Sequence, residues 1–463
     1  MRAAALAVVL GLLGASTATT SEGWLRFRGP NGSGIAEVSG LPTDLSPERA
    51  QWRVEVPFGH SSPIVVGGLV VVTALVGDEL VTLAVDESTG AERWRRSVPR
   101  RRVDRIAPET GPAVATPTSD GASVYSFFPE FGLVAYGLAG DERWRLELPP
   151  FESYYGMASS PVLEAGTLIL LCDQSRRPFL LGIDAATGRE LWRRQRDVTA
   201  ESWTTPMVRS PGSDRAAVLV FGTAYLDAYS PRTGDRLWRL PGFGFTPVAS
   251  PIVSGDVAYV LAPDQAEVPP PSVEATFALD RDGDGKLTEQ ELAPSPYAGV
   301  FHWLDKGGDG LLDRREYAEQ IAGLASPDHG LVAVDLASSP PKELWRQRKS
   351  LPWIATPILY RDVLFLVRDG GILTSYDPHT GKVLKRGRIE GALDGFSPSP
   401  VAADGKLYLA SSGGKIAVVA AEADWTTLAV SDLDESIFAS PAIAGGRMFV
   451  RTRSKLYAFG KAD

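Results

Sequence analysis

Beyond its first residues the chain alternates short apolar runs with clusters of turn-forming residues. Gly68-Leu69-Val70-Val71-Val72-Thr73, Val363-Leu364-Phe365-Leu366-Val367 and Lys406-Leu407-Tyr408-Leu409-Ala410 set the pattern, each rich in β-branched or aromatic residues and closed off by Gly or Asp. Such runs are too short to lay an apolar stripe along a helix. They predict strands, and the continuously apolar ones predict strands buried on both faces.

Two punctuation marks repeat among these strands. The first is a Ser-Pro or Thr-Pro pair just ahead of a strand: Ser62-Pro63, Thr116-Pro117, Ser160-Pro161, Thr205-Pro206, Ser250-Pro251, Thr356-Pro357, Ser399-Pro400 and Ser440-Pro441. From proline to proline the spacings are 54, 44, 45, 45, 106, 43 and 41 residues. The second is a turn followed by tryptophan: Asp86 to Gly90 before Trp94, Asp184 to Gly188 before Trp192, Ser230 to Gly234 before Trp238, and a weaker copy from Gly140 to Trp144. Asp and Thr-Gly make a tight turn, and the tryptophan then falls on the next strand, where it can wedge between neighbouring units.

A period in the forties is the length of one propeller blade, so eight starts predict an all-β fold, an eight-bladed β-propeller of four-stranded blades. Later copies are eroded: Trp345 follows Pro341, Lys385 stands where tryptophan is expected, and Trp425 follows Ala421. After Pro441 only enough chain remains for three strands, Ile443 to Phe459. The segment Gln51-Trp52-Arg53-Val54-Glu55-Val56 resembles a post-turn strand and is expected to supply the missing fourth, closing the ring and removing an open edge.

The whole chain is 463 residues long, and its 47 Gly and 35 Pro are spread throughout, as one repeated body requires. The formal net charge of −9 opposes binding to phosphate backbones, so nucleic acid is excluded as a general partner. Arg95, Arg96, Arg100, Arg101, Arg102 and Arg105 form a local exception, expected to be a solvated loop, with docking of an acidic partner as the alternative. Arg2, the apolar run Ala3 to Gly14 and Ser16-Thr17-Ala18 read as a signal peptide over 1–18, which points to a periplasmic or secreted protein. No cysteine follows that could carry a lipid, and no later segment is apolar enough to be transmembrane. Cys172 is the only cysteine and sits in an apolar run, as a buried inert thiol would.

The 106-residue interval exceeds one blade, and the excess has its own motif. Asp280 to Glu291 fits the twelve-residue EF-hand loop: carboxylates from Asp280, Asp282 and Asp284, a bend at Gly285, the Lys286 carbonyl, a water on Thr288 and two oxygens from Glu291. A second loop, Asp305 to Glu316, offers Asp305, Asp309, the Leu311 carbonyl, Asp313 and Glu316, but Gly307 leaves its third position without a side-chain oxygen. One strong and one weaker Ca2+ site are expected. Segments 271–279, 288–292, 298–304 and 314–324 are expected to flank them as short helices. The predicted organisation is thus propeller over 24–263, α-helical insertion into blade 5 over 264–328, and propeller again over 329–460.

The Asp-x-x-Thr-Gly-x-x-x-Trp signature resembles that of the quinoprotein-like, pyrroloquinoline-quinone-binding-like β-propeller repeat family, which also covers the propeller of the outer-membrane assembly machinery. Trp24-Leu25-Arg26-Phe27-Arg28-Gly29-Pro30 is similar to the start of many exported members. The resemblance implies a fold, not a function. A quinone-dependent alcohol or sugar dehydrogenase is one implied activity, and alcohol dehydrogenases of this type stack adjacent cysteines against the quinone. A single cysteine cannot do so, and Asp394, Asp432, Asp434 and Glu435 are accounted for by turns and caps, so no pyrroloquinoline quinone is expected. His60, His302, His329 and His379 show no metal spacing, and Gly32-Ser33-Gly34 has no helix after it. The preferred expectation is a non-catalytic calcium-binding scaffold whose partners are other envelope proteins. Tyr154, Tyr155, Trp203, Phe243, Phe245, Trp353 and Phe396, just ahead of the blade-start prolines, are expected on one ring face, in interblade packing or a binding surface.

Overall fold

Each Ser-Pro or Thr-Pro opens a strand of two or three residues, because proline's fixed φ suits extended backbone and its missing N–H is not needed there. From that start the chain runs through three further antiparallel strands, here lettered A to D outward from the axis. The computed structural model describes residues 23–104, 110–198, 200–262, 271–295, 297–324 and 328–460. In blade 1 the strands are Ile64–Val66, Leu69–Val76, Glu79–Asp86 and Glu92–Pro99. Eight such four-stranded sheets make an eight-bladed β-propeller, mostly β with a few short helices. The last blade takes Ala442–Ala444, Arg447–Arg451 and Lys455–Gly460 from one end of the fold and Trp52–Glu55 from the other, with Trp52 opposite Ala458. The expected signal peptide, residues 1–18, lies outside the described residues.

The blade-start hydroxyls do more than mark strands. The Ser62 N–H donates to Thr116 Oγ1 at 3.0 Å, Thr116 to Ser160 Oγ at 3.0 Å, Ser160 to Thr205 Oγ1 at 3.1 Å and Thr205 to Ser250 Oγ at 2.9 Å. Ser250 donates to Thr356 Oγ1 at 3.1 Å, Thr356 to Ser399 Oγ at 3.0 Å, Ser399 to Ser440 Oγ at 2.9 Å, and Ser440 back to Ser62 Oγ at 3.0 Å. A closed belt of buried hydrogen bonds therefore joins every blade to the next. Proline at the following position leaves this N–H as the donor available there, and the hydroxyl next door satisfies it.

At the outer rim the tryptophans supply the apolar counterpart. Asp86 accepts from the N–H groups of Ser88 and Thr89 at 3.0 and 2.9 Å, and Gly90 takes φ +73°, fixing the turn. The indole of one blade then lies on the turn of the next and donates to it: Trp94 to the Leu138 carbonyl, Trp144 to Ala185, Trp192 to Pro231 and Trp345 to Pro378, at 2.8, 2.8, 3.2 and 2.9 Å. Each wedge buries on the order of 200 Å² of side chain, about 5 kcal/mol by area. Across its own blade each faces a small residue, as Trp94 faces Ala84 and Trp144 faces Ala135. Trp425 departs from expectation: it lies in a strand C to D turn, ahead of Thr427–Asp432, and not on the outer strand.

Residues 24–36 cross the axis on the face of the A–B turns. Trp24 bridges to Val65 of blade 1, and the Leu25 carbonyl accepts from Ser119 of blade 2 at 2.8 Å. Arg26 donates to the Pro206 carbonyl of blade 4 at 2.7 Å. Arg28 donates to the carbonyls of Gly32, Pro400, Ser33 and Pro357 at 3.1, 3.0, 3.0 and 2.9 Å, reaching blades 6 and 7. Ala402 of blade 7 donates to Gly34 at 2.8 Å. The opening motif and Gly32-Ser33-Gly34 are thus a stopper in the ring.

The arginine cluster is neither a loose loop nor a free cationic patch. Arg100 pairs with buried Glu130, and Arg102 donates to the Leu148 and Pro149 carbonyls at 3.1 and 3.0 Å. Arg95 pairs with Glu92 at 2.8 Å, Arg96 donates to the Gly140 carbonyl at 2.7 Å, and Arg101 pairs with Glu147 at 3.2 Å. Most of these contacts run from blade 1 to blade 2. Arg105 lies outside the described residues. Cys172 is fully buried, and burial pushes its thiol well above the ordinary range.

Candidate metal centre

In blade 5 the chain leaves strand B, Val257–Ala262, and returns in strand C, Gly330–Asp335. The described residues between them stand on the face of the B–C and D–A connections, opposite the stopper. They carry helices Val273–Phe277, Glu289–Leu292, Phe301–Leu304 and Arg314–Leu324, with a 3-10 turn at Ala298–Val300; the first two are shorter than the sequence suggests. Phe277, Leu287, Leu292, Phe301, Leu304, Leu312 and Tyr317 bury one another in a separate small core. Ser272 caps the first helix and Thr288 the second, the latter in a capping box with Glu291.

Two loops lie between these helices, joined by an antiparallel bridge. Leu287 N–H donates to the Leu312 carbonyl at 2.9 Å and Leu312 N–H to the Leu287 carbonyl at 2.8 Å. In the first loop the Asp280 carboxylate accepts from Gly283 and Gly285 N–H at 2.7 and 2.9 Å, Asp282 from Asp284 at 3.1 Å, and Asp284 from Lys286 at 2.7 Å. These bonds turn the three acids inward, and one oxygen from each lies within 4.8 Å of the others. Oxygens on opposite sides of one Ca2+ stand about 5 Å apart, so the three fit a single such ion. Among the described residues this is the only set of three metal-capable side chains so gathered.

Glu291 is not part of that set. The Glu291 carboxylate accepts from Arg281 N–H at 2.9 Å, from Thr288 N–H at 2.9 Å and from the Thr288 hydroxyl at 2.8 Å. The backbone bonds from Thr288 and Arg281, then the hydroxyl bond, hold its pKa down at about 2, so it stays ionised as a cation ligand must. In the second loop Asp305 accepts from Gly308 and Gly310 at 2.6 and 2.9 Å, and Glu316 from Gly307 and Asp313 at 2.6 and 3.1 Å. Asp309 accepts from Leu311 at 2.9 Å, and Asp313 caps Glu316 N–H at 2.8 Å. The backbone follows the first loop, but its carboxylates do not gather.

The aromatic residues ahead of the prolines lie on the same face as the insert and divide into two groups. Phe243, Phe245 and Phe396 are buried, whereas Tyr155 and Trp353 are 40% and 46% exposed. Tyr155 packs edge-on against Tyr154 and Trp203, at 4.6 and 5.4 Å. Ile354, Leu393 and Phe438 add exposed apolar surface on D–A connections of the same face; the sequence reading missed them because their runs carry no repeat. It missed Glu201 too, a buried carboxylate that accepts from the Ser153 hydroxyl at 2.7 Å and Tyr154 N–H at 3.1 Å and so fixes the Tyr154-Tyr155 loop. Burial raises its pKa. Asp394, Asp432 and Glu435 serve turns, accepting from the Ser411 hydroxyl, Asp434 N–H and the Thr452 hydroxyl.

These features define the class, an eight-bladed β-propeller built on the pyrroloquinoline-quinone-like repeat. The chain belongs to the family described as outer membrane protein assembly factor BamB, whose pattern matches residues 43–168, 176–284 and 277–423. Among solved structures it is similar to BamB from Moraxella catarrhalis, at 11% identity and TM-score 0.55, over 88% of this chain and 98% of that one. It is similar to a europium-containing methanol dehydrogenase, at 11% identity and TM-score 0.61, over 95% and 98%. It is also similar to the computationally designed Ika8 protein, at 11% identity and TM-score 0.55, over 88% and 97%. At such identities the likeness is one of fold. No curated protein matches the sequence. No helix among the described residues is long and apolar enough to cross a membrane.

Proposed function

We propose that this chain is an exported, non-catalytic calcium-binding scaffold that docks other proteins of the cell envelope. The observation that carries the calcium reading is the convergence of Asp280, Asp282 and Asp284 in a loop bridged to a second by Leu287 and Leu312. In this reading the first EF-hand loop is the stronger site, completed by the Lys286 carbonyl and by Glu291 once it exchanges its backbone bonds for the ion. The second, using Asp305, Asp309, the Leu311 carbonyl, Asp313 and Glu316, is the weaker. Calcium orders the insert and adds little to the ring: at free calcium equal to the Kd it contributes only about 0.4 kcal/mol per site. Family membership and the exposed Tyr155, Trp353, Ile354, Leu393 and Phe438 on the face that carries the insert support the docking reading.

A quinone-dependent dehydrogenase shares the fold and is the second reading, against which two features weigh. The one thiol, Cys172, is buried within strand B of blade 3, and the acids at Asp394, Asp432 and Glu435 are bound up in turns. Calorimetric titration compares the wild-type chain with the D280A/D282A/E291A variant. Loss of the stronger site is expected, and unchanged uptake refutes the assignment. Capture from envelope extracts with and without a chelator, beside a dye-reduction assay with added quinone and calcium, separates scaffold from enzyme.

A further inference from the structure

Arg176 stands on the B–C connection of blade 3, and that connection is held rigidly at its base. Asp173, fully buried, accepts from Arg196 Nε at 2.6 Å and from the Ser202 hydroxyl at 2.7 Å. Ser175 N–H donates to the Glu152 carbonyl at 2.8 Å. From this fixed tip Arg176 Nε donates to the Lys306 carbonyl at 3.1 Å, in the second loop of the insert, while its guanidinium lies 3.3 Å from Glu152. It covers Gly308 so closely that a Cβ built there would fall 1.5 Å from Nη2. The equivalent glycine of the first loop, Gly283, has nothing within 4 Å. A second contact, Trp303 edge-on to Phe245 at 5.9 Å, rests the same side of the insert on the loop before blade 5.

The two loops are thus alike in backbone and unlike in surroundings. The first gathers its acids and faces open space. The second lacks a third-position carboxylate at Gly307, does not gather its acids, and carries a guanidinium from the propeller on its outer surface.

We propose that Arg176 seats the insert on the propeller and that this seating opposes calcium at the second loop. A positive charge a few ångström from the loop weakens its hold on a divalent cation, by about threefold at a solvent-exposed site where Glu152, 3.3 Å from the guanidinium, offsets part of the charge. Conversely, calcium that draws Asp305, Asp309 and Asp313 inward reshapes the Lys306 to Gly308 backbone on which the guanidinium rests. The second loop then links calcium level to the docking of the insert, while the first loop holds its ion in either state. The opposition rests on the calcium reading proposed above; the seating does not.

The test uses the full chain and its R176A variant, whose side chain is partly exposed and whose loss leaves the ring's belt and wedges untouched. In chelator, amide hydrogen exchange over residues 303–310 is expected to quicken about tenfold in the variant. In a calcium titration the weaker site is expected to tighten about threefold and the stronger to stay unchanged. Unchanged exchange overturns the seating, and a weaker site that does not tighten overturns the opposition. No uptake by the wild-type chain would sink the calcium reading and the opposition with it, whereas the exchange comparison decides the seating by itself.

Discussion

Lys385 holds its ammonium 4.9 Å from the ring of Trp425 and donates to the Trp425 carbonyl at 2.7 Å. Lys385 occupies the outer-strand position where blades 1 to 5 and blade 8 carry tryptophan. In its place the turn of blade 7 sends Trp425 back across the same interface, against Gly387. The wedge is kept and its owner has changed.

That exchange predicts different responses to phenylalanine. The Trp425 indole N–H is buried with no acceptor, whereas that of Trp144 donates to the Ala185 carbonyl at 2.8 Å. W144F should cost about 1–2 kcal/mol more than W425F, since it leaves a buried acceptor unpaired. W425A should lose about 3–5 kcal/mol, as for other buried aromatics. Urea unfolding of the three variants measures both; equal losses for the two phenylalanines would contradict the account.

The hydroxyl belt predicts that oxygen matters at these positions and size does not. S440A removes the acceptor for Ser399 N–H and should cost about 1–3 kcal/mol. S440T keeps an oxygen, as Thr116, Thr205 and Thr356 do in the same belt, and should lie within about 0.5 kcal/mol of wild type.

Arg28 satisfies four carbonyls, on its own segment and on blades 6 and 7. R28A should cost about 3 kcal/mol or more, because the buried carbonyls lose their donors together. Amide exchange over residues 24–36 should quicken well before that of the inner strands. A uniform rise across all blades would mean that the stopper is part of the ring's cooperative core.

His60 supplies a pH dependence. Burial, then the charges of Arg451 and Arg453, lower its pKa to about 4, and it packs between Phe58 and Phe438 at 5.0 and 4.7 Å. The folded state therefore holds it neutral while the unfolded chain protonates it near its ordinary value of about 6.5. Stability attributable to His60 is unaffected above that value and falls as pH drops from about 6.5 to about 4, by up to about 3 kcal/mol. H60F should flatten the stability profile over that window, measured by denaturant midpoint at each pH.

The blade count and the closing strand from Trp52–Glu55 were legible because proline and tryptophan repeat at fixed intervals, and strand pairing follows from order along the chain. Asp280, Asp282 and Asp284, which the structure brings together, could be singled out because they lie within five residues of one another along the chain. Contacts between distant segments could not. Arg176 meets Lys306 across 130 residues, and Arg28 meets Pro400 across 372, with no local pattern at either end. The hydroxyls of Ser62, Thr116 and their counterparts were visible as punctuation, but their joining depends on every blade presenting the same height at the axis.

The stopper at residues 24–36 adds to the unlikeness of the ring's two faces, which the direction of the blades already sets. On one side these residues tie blades 1, 2, 4, 6 and 7 together across the axis, and on the other Tyr155 and Trp353 stay exposed, so a partner docking on the insert's side need not displace any bond that Arg28 makes.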